Sequence, residues 1–246
     1  MHKGEVETVY ESKVIRKLFS MTSPIHLRLR DMEVLQLTTT IKHTIHSSVN
    51  SRAKRMLDIL GAIVGLAITG VMVIPIAIAM WFDDPGNIFY SQIRCGLEGK
   101  PFRIWKFRSM IIDADRQKHL VENQATGHIF KNDNDPRITK VGHFLRRTSL
   151  DEFPQFWNVL KGDMSLVGTR PPTTDEVAMY DKHHFQRLKV KPGITGEWQV
   201  RGRSKVLNFE EIVQMDLDYQ KRWSFFYDLH LLIQTVVVVL ARKGAC

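Results

Sequence analysis

The chain has 246 residues, 43% of them hydrophobic, and its 35 Lys and Arg against 26 Asp and Glu give a formal charge of +9. That length allows one buried core or two small ones, and the basic excess suits phosphate-bearing partners such as nucleotide sugars, anionic headgroups or nucleic acid, or a merely solvated surface. Cys95 and Cys246 are the only cysteines, which excludes a disulfide framework, and the ten histidines, His43/His46 and His183/His184 among them, show no HExxH or Cys/His zinc spacing.

Residues 1 to 51 are polar and mixed in charge, without the basic-then-apolar pattern of a leader, so the N-terminus is expected on the cytoplasmic side. Val14, Ile15, Leu18 and Phe19 recur at helical spacing, readable as a short partner-binding or membrane-surface helix or as a loosely ordered extension. Ile59 to Phe82 is a run of 24 residues without a charge; at about 1.5 Å per residue it is long enough to cross a ~30 Å hydrocarbon core. Its flanks argue otherwise. Arg52, Lys54 and Arg55 precede it, and Arg94, Lys100, Arg103, Lys106 and Arg108 follow, so both ends favour the cytoplasm. Pro75, shortly after Thr69-Gly70, supplies a bend. The expectation is a re-entrant helix-break-helix over about 57–82, with an ordinary transmembrane helix as the alternative.

Phe89 to Met110 alternates apolar and polar residues around Gly96–Gly99 and predicts a small hairpin. Within it, Lys106 and Arg108 alternate with aromatics, which puts both charges on one face of an extended segment, for phosphate or headgroup contact or as a basic strand edge. An amphipathic helix is expected over Ile111 to Gln124, then a polar loop from Asn132 to Pro136.

Thr148 to Pro172 places two adjacent acids, Asp151 and Glu152, among apolar residues. Thr148-x-x-Asp151 and Ser149-x-x-Glu152 read as capping boxes. Alternatively Pro154, lacking an N–H, opens the helix, and both acids project from just before its positive end. The same stretch closes on Gly168-Thr-Arg-Pro-Pro172, a rigid turn whose Arg170 either grips phosphate bidentately or faces solvent. Downstream, VKPGITG turns on Pro192-Gly193 and leads to Gln199, Arg201 and Arg203. Trp223, Phe225, Phe226 and Tyr227 form an aromatic cluster suited to a lipid–water interface. Asp228 follows, and Leu229 to Leu240 reads as a membrane-surface helix or a core helix.

The segments KRMLDI, KPFRIWKFRSM, NDPRITKVGHFLRRTSLDEFPQFWNVLKGDMSLVGTRPP, VKPGITGEWQVRGR and YDL occur in that order from about Arg52 to the C-terminus. In them the chain resembles the bacterial sugar transferases, small monotopic phosphoglycosyl transferases that move a phosphosugar from a nucleotide diphosphate onto a polyprenyl phosphate. The resemblance implies an α+β, predominantly helical fold, in which a membrane re-entrant helix packs on a cytoplasmic catalytic domain carrying a small β-hairpin. That domain would cover 52–246, its catalytic region 87–246, with 1–51 an extension of unassigned role.

By the same resemblance, Asp151 attacks the sugar-bearing phosphate and holds a phosphosugar covalently, while Glu152 assists; the two also serve as ligands of Mg2+. Substrate contacts fall to Arg170, Lys106, Arg108, Arg146, Gln199 and Asp228, and Arg146 or Arg147 pairs with Asp58. Expected partners are a nucleotide-sugar donor, usually uridine-based, an undecaprenyl-type polyprenyl phosphate acceptor and membrane lipid, with homodimerisation compatible and nucleic acid not expected. The expected place is the cytoplasmic face of the bacterial inner membrane, starting a surface polysaccharide or glycoconjugate.

Three departures stand out. Pro75 comes about one turn after the family's breaking proline, Thr169 replaces a proline, and Glu197-Trp198 shifts the usual tryptophan by one, where base or sugar selectivity would change. The competing reading is a non-enzymatic membrane adaptor for polyanions, which predicts salt-sensitive binding and indifference to Asp151 substitution. An inactive or phosphatase-like variant of the same site is a further alternative, against which a membrane-bound acceptor argues.

Overall fold

The computed structural model describes residues 45–202 and 206–241; the Val14–Phe19 segment and Arg203 lie outside the described residues. The first long element is α1, Arg52–Asp83, whose N-cap Ser51 accepts a hydrogen bond from Lys54 N–H. Its helical residues run through Pro75 without interruption, so the expected break is absent as a gap in the helix. The missing proline N–H removes one bond of the ladder, and neighbouring turns carry the helix past it.

The reason α1 stays whole is its packing. Lys54, Asp58, Ala62, Gly65, Thr69, Ile76 and Met80 are buried, a stripe at helical spacing along the full length. The opposite face exposes Leu60, Ile63, Val64, Ile68, Val71, Ile74, Ile78, Trp81 and Phe82.

After α1 the chain forms the expected hairpin, β1 Phe89–Cys95 and β2 Pro101–Phe107, antiparallel, with Tyr90 opposite Lys106 and Arg94 opposite Phe102. Ile111 to Gln124 is not an amphipathic helix. It is a series of turns with a single 3-10 turn at Lys118–Leu120. Asp113 takes a left-handed φ of 61°, the Arg137 guanidinium takes the Ala114 carbonyl, and Ile111 N–H donates to Arg137 O. The backbone here pairs through successive i to i−3 turns, such as Arg116 N–H to Asp113 O and Gln117 N–H to Ala114 O, broken by the left-handed Asp113 and pinned by Arg137, which apolar spacing does not reveal.

Then come α2 Lys140–Thr148, a 3-10 turn Leu150–Gln155, α3 Phe156–Lys161 and β3 Ser165–Val167. They are followed by α4 Thr174–Ala178, β4 Gly193–Thr195, α5 Glu197–Arg201, α6 Phe209–Arg222 and α7 Phe225–Leu240. β3 and β4 pair in parallel, Ser165 with Gly193 and Val167 with Thr195. Among the described residues, two short sheets and seven α-helices make the fold α+β and predominantly helical, as expected.

Three apolar clusters hold these elements. Ala62 packs with Val159, Met164, Leu166 and Leu231, which joins α1 to α3, β3 and α7. Ile76 and Met80 pack with Phe107 and Leu145, joining the other end of α1 to β2 and α2. Phe209, Ile212 and Val213 of α6 gather Val177, Tyr180 and Leu188. One contact needs glycine: a Cβ on Gly65 would lie 2.3 Å from the Phe156 ring, so α1 and α3 approach closely only because the side chain is absent.

Candidate active site

The reactive stretch is suspended between fixed points. Asp83, the last residue of α1, accepts a hydrogen bond from Val141 N–H in the first turn of α2 (2.7 Å), and Thr139 caps the same helix. Helix α2 ends at Ser149, which has a left-handed φ of 58°, an uncommon conformation for a residue with a Cβ. That turn swings the chain into the 3-10 segment, with Asp151 and Glu152 in its first turn. The expected helix start at Pro154 is therefore corrected: the helical turn begins earlier, at Leu150, and Pro154 sits inside it. On the far side, Thr69 Oγ1 of α1 donates to Phe153 O (3.4 Å). Buried Asn158 of α3 exchanges two hydrogen bonds with the β2 backbone, at Trp105 N–H and Arg103 O.

Lys106 comes to the dyad from β2. Its Nζ lies 2.9 Å from Glu152 Oε1 and 3.9 Å from Asp151 Oδ2. Asp151 is 6% exposed, whereas the Glu152 and Lys106 side chains are each 27% exposed, so the dyad opens to solvent on the side of Glu152 and Lys106. Arg146 approaches from α2 and donates through Nε to Ser109 Oγ (2.9 Å). Burial lowers its proton affinity, while Asp151 and Asp135 act in the opposite direction. Lys106 thus contacts Glu152 and lies beside Asp151, and Arg146 lies within electrostatic reach of both. Of the expected site residues, Asp151, Glu152, Lys106 and Arg146 come together.

The others do not join them in the same way. Arg108 lies past the end of β2 and turns back to cap α1, donating to Asp84 Oδ2, the Asp84 carbonyl and Asn87 O. Its separation from the Lys106 face follows from the strand ending at Phe107. Arg170 faces inward and grips Glu176 bidentately at 2.8 and 3.1 Å. The Arg170 ion pair outweighs the effect of burial and holds Glu176 below the usual carboxylate range.

Asp228 is wholly buried and bonds Lys54 Nζ (2.6 Å), Tyr219 OH (2.8 Å) and Trp223 Nε1 (3.1 Å). Asp58 accepts from Ser165 Oγ and Leu166 N–H rather than pairing with Arg146 or Arg147. Gln199 sits in α5 with its amide oxygen buried and without a hydrogen-bond partner. The GTRPP and KPGITG loops are pressed together at backbone level: a Cβ on Gly168 would meet Lys191 O at 2.2 Å, and one on Gly196 would meet Gly168 O at 2.0 Å.

Sequence reasoning missed Asn158 and the Lys54–Asp228 tie. The signal was present for Lys54: with Asp58 and Ala62 it forms an i, i+4 row that continues into the buried stripe of α1.

The profile of the bacterial sugar transferases matches residues 49–242. The chain belongs to the bacterial sugar transferase family. It is 52% identical over 195 residues to galactosyl transferase CpsE of Streptococcus agalactiae, covering 78% of this chain and 43% of that protein. It is 40% identical over 229 residues to the UDP-glucose:undecaprenyl-phosphate glucose-1-phosphate transferase of Escherichia coli, covering 90% of this chain and 47% of that protein. The uncharacterized sugar transferase EpsL of Bacillus subtilis is 38% identical over 191 residues, 78% of this chain and 89% of that protein. The chain thus spans less than half the length of the first two relatives and most of the third.

Asp151 and Glu152 offer the hard oxygen donors Mg2+ takes, one of them partly exposed, and Lys106 shows that a positive charge is already accommodated between them. Another cluster, Asp181, His183 and His184, also has its ligand atoms within 4.8 Å of one another. Its chemistry fits an ion poorly. His184 Nδ1 accepts Asp181 N–H (2.9 Å), which leaves the proton of the neutral ring on Nε2, directed at Glu210 (2.6 Å). Both ring nitrogens are engaged without a metal.

Proposed function

We propose that the protein transfers a sugar 1-phosphate from a nucleotide diphosphate sugar, with uridine as the base, to undecaprenyl phosphate, releasing the nucleoside monophosphate. It would thereby initiate an exopolysaccharide or related glycoconjugate. The observation that carries the reading is the Asp151–Glu152 pair held against Lys106 and Arg146, in a chain similar to enzymes named for this transfer.

An Asp151 carboxylate oxygen attacks the sugar-bearing phosphorus, and the bond from that phosphorus to the bridging oxygen breaks as the nucleoside monophosphate leaves. A phosphate oxygen of the acceptor then attacks the same phosphorus and frees Asp151. Attack of one anion on another demands charge neutralisation, and Lys106 and Arg146 are placed to provide it. Asp151 and Glu152 would hold Mg2+, which would supply further neutralisation of the phosphate oxygens. Glu152 orients Lys106 through their 2.9 Å contact.

The acceptor is a lipid, and the helices suit a membrane-surface enzyme. At about 1.5 Å per residue the 32 residues of α1 extend about 48 Å, with one face packed on the domain. A perpendicular crossing would draw the polar contacts along that stripe, Lys54 with Asp228 at one end and Arg108 with Asp84 at the other, to very different depths. We therefore assign α1 a one-leaflet placement, its Leu60–Val71–Phe82 face in lipid and the catalytic side cytoplasmic. Helix α7 exposes a second apolar row, Phe226, Ile233, Val237 and Leu240, suited to the same surface.

The test is acceptor-dependent release of UMP from a panel of UDP-sugars by protein in lipid discs with Mg2+. Asp151→Asn should abolish release while far-UV circular dichroism is retained. Full turnover by Asp151→Asn would eliminate the covalent route.

A further inference from the structure

Where β1 ends against the GTRPP turn, the guanidiniums of Arg94, Arg170 and Arg187 gather near Glu176 and Asp216, with Asp115 further along the same strand face beside Tyr90. Arg187 pairs with Asp216 (Nε to Oδ2, 2.7 Å), and Arg170 grips Glu176. Glu176 is further occupied by Thr173 N–H. Arg94 is left over. One NH group donates to Pro171 O (3.0 Å), and its Nε is buried without a hydrogen-bond partner. Burial, and then the neighbouring charge of Arg170, lower Arg94 to about 10. Glu176 and Asp115 act in the opposite direction, so the charge is partly answered, but the buried Nε keeps an unfilled donor, which is costly away from water.

Arg94 also shares a face with the reactive centre. Alternation puts Tyr90, Gln92 and Arg94 on one side of β1, and the partner of Tyr90 is Lys106. Four residues of strand separate the two cations, about 13 Å at the Cα atoms, with Gln92 and its partner Ile104 between them.

We propose that Arg94, supported by Arg170, binds the nucleotide-side phosphate of the donor diphosphate, and so holds the leaving group while Lys106 and Arg146 face the attacked phosphorus. This rests on the phosphosugar-transfer reading above. A guanidinium is suited to it, because its planar fork meets two phosphate oxygens at once.

The experiment compares wild type, Arg94→Gln and Arg94→Lys, each as the full chain in lipid discs. It reads donor KM, kcat, acceptor KM, inhibition by UDP and by inorganic pyrophosphate, and the unfolding midpoint. Expected for Arg94→Gln is a donor KM raised, and UDP and pyrophosphate inhibition weakened, by about ten- to a hundred-fold, the size of a lost charged hydrogen bond. Acceptor KM should move less than about three-fold, kcat at saturating donor should fall alongside the donor effects because the leaving phosphate loses its counter-charge, and Arg94→Lys should recover part of these losses. Unchanged donor KM and unchanged pyrophosphate inhibition overturn the proposal. So does a loss confined to kcat with a lowered unfolding midpoint, the signature of a residue that only pins Pro171. If Arg94→Gln does not fold, Arg94→Lys decides: weaker UDP inhibition supports the site, and equal inhibition sinks it. Wild-type protein inert towards every nucleotide sugar would instead defeat the transfer reading. Calorimetric titration with pyrophosphate would then still report on Arg94.

Discussion

Replacing Asp228 separates a structural tie from a ligand contact. Its carboxylate answers the Lys54 ammonium at 2.6 Å, with Lys54 and Asp228 side chains 7% and 0% exposed, and also accepts from Tyr219 and Trp223. Asp228→Asn leaves a buried cation without its counter-charge, which costs about 3–5 kcal/mol when one partner of a buried pair is removed. For a domain of this size each kcal/mol lowers the unfolding midpoint by about 2–4 °C, so a fall of about 10 °C is expected. The double replacement Lys54→Met with Asp228→Asn removes the orphaned charge and should recover most of that loss. The assay is thermal unfolding followed by circular dichroism in one detergent, with donor KM measured below the transition. An unchanged midpoint together with a raised donor KM would refute the argument and return Asp228 to the ligand contacts its motif suggested.

Lys106→Met removes the cation between the dyad carboxylates and should lower kcat at least a hundred-fold, by about 3 kcal/mol of transition-state charge stabilisation; less than a five-fold loss would show that Lys106 is only a strand-edge charge. Gly65→Ala places a Cβ at 2.3 Å from the Phe156 ring and should destabilise by about 1–3 kcal/mol through overpacking, with Phe156→Leu in the same chain restoring part of the midpoint if that contact is the cause. Burial holds buried His184 below its usual 6.5, against an opposing Glu210 hydrogen bond. The folded state therefore binds fewer protons than the unfolded one in that window. The stability His184 contributes is complete above pH 6.5 and is lost as pH falls through its folded pKa. His184→Gln should flatten the midpoint-versus-pH curve below pH 6.5, and an unaltered slope would show that another group carries it.

The local elements were legible where their chemistry is local. Gly96–Gly99 between alternating runs specified the hairpin, because a tight turn and a two-residue period are properties of neighbouring residues. The 24-residue apolar run specified a helix long enough for a membrane. The Ile111–Gln124 helix failed because Asp113 turns left-handed and Arg137 holds Ile111 and Ala114, leaving a run of tight turns, and spacing contains neither cause. Arg108 and Asp228 were expected as ligand contacts, and their partners within the fold were not legible, because charge in a motif looks alike whether it meets substrate or another buried charge. Their partners, Asp84 and Lys54, stand 24 and 174 residues away in sequence.

By itself, then, the sequence determined the family and a candidate reaction centre. The adjacent acids, the rigid arginine turn and the order of the motifs are covalent facts about the chain, and they identify a family whatever the packing. Only the tertiary structure decided which cations serve those acids. Lys106 and Arg146 face the dyad because β2 and α2 are fixed against the same long helix, while Arg170 is held by Glu176. Charge acts through distance, and distances between residues far apart in the chain exist only once the helices have packed.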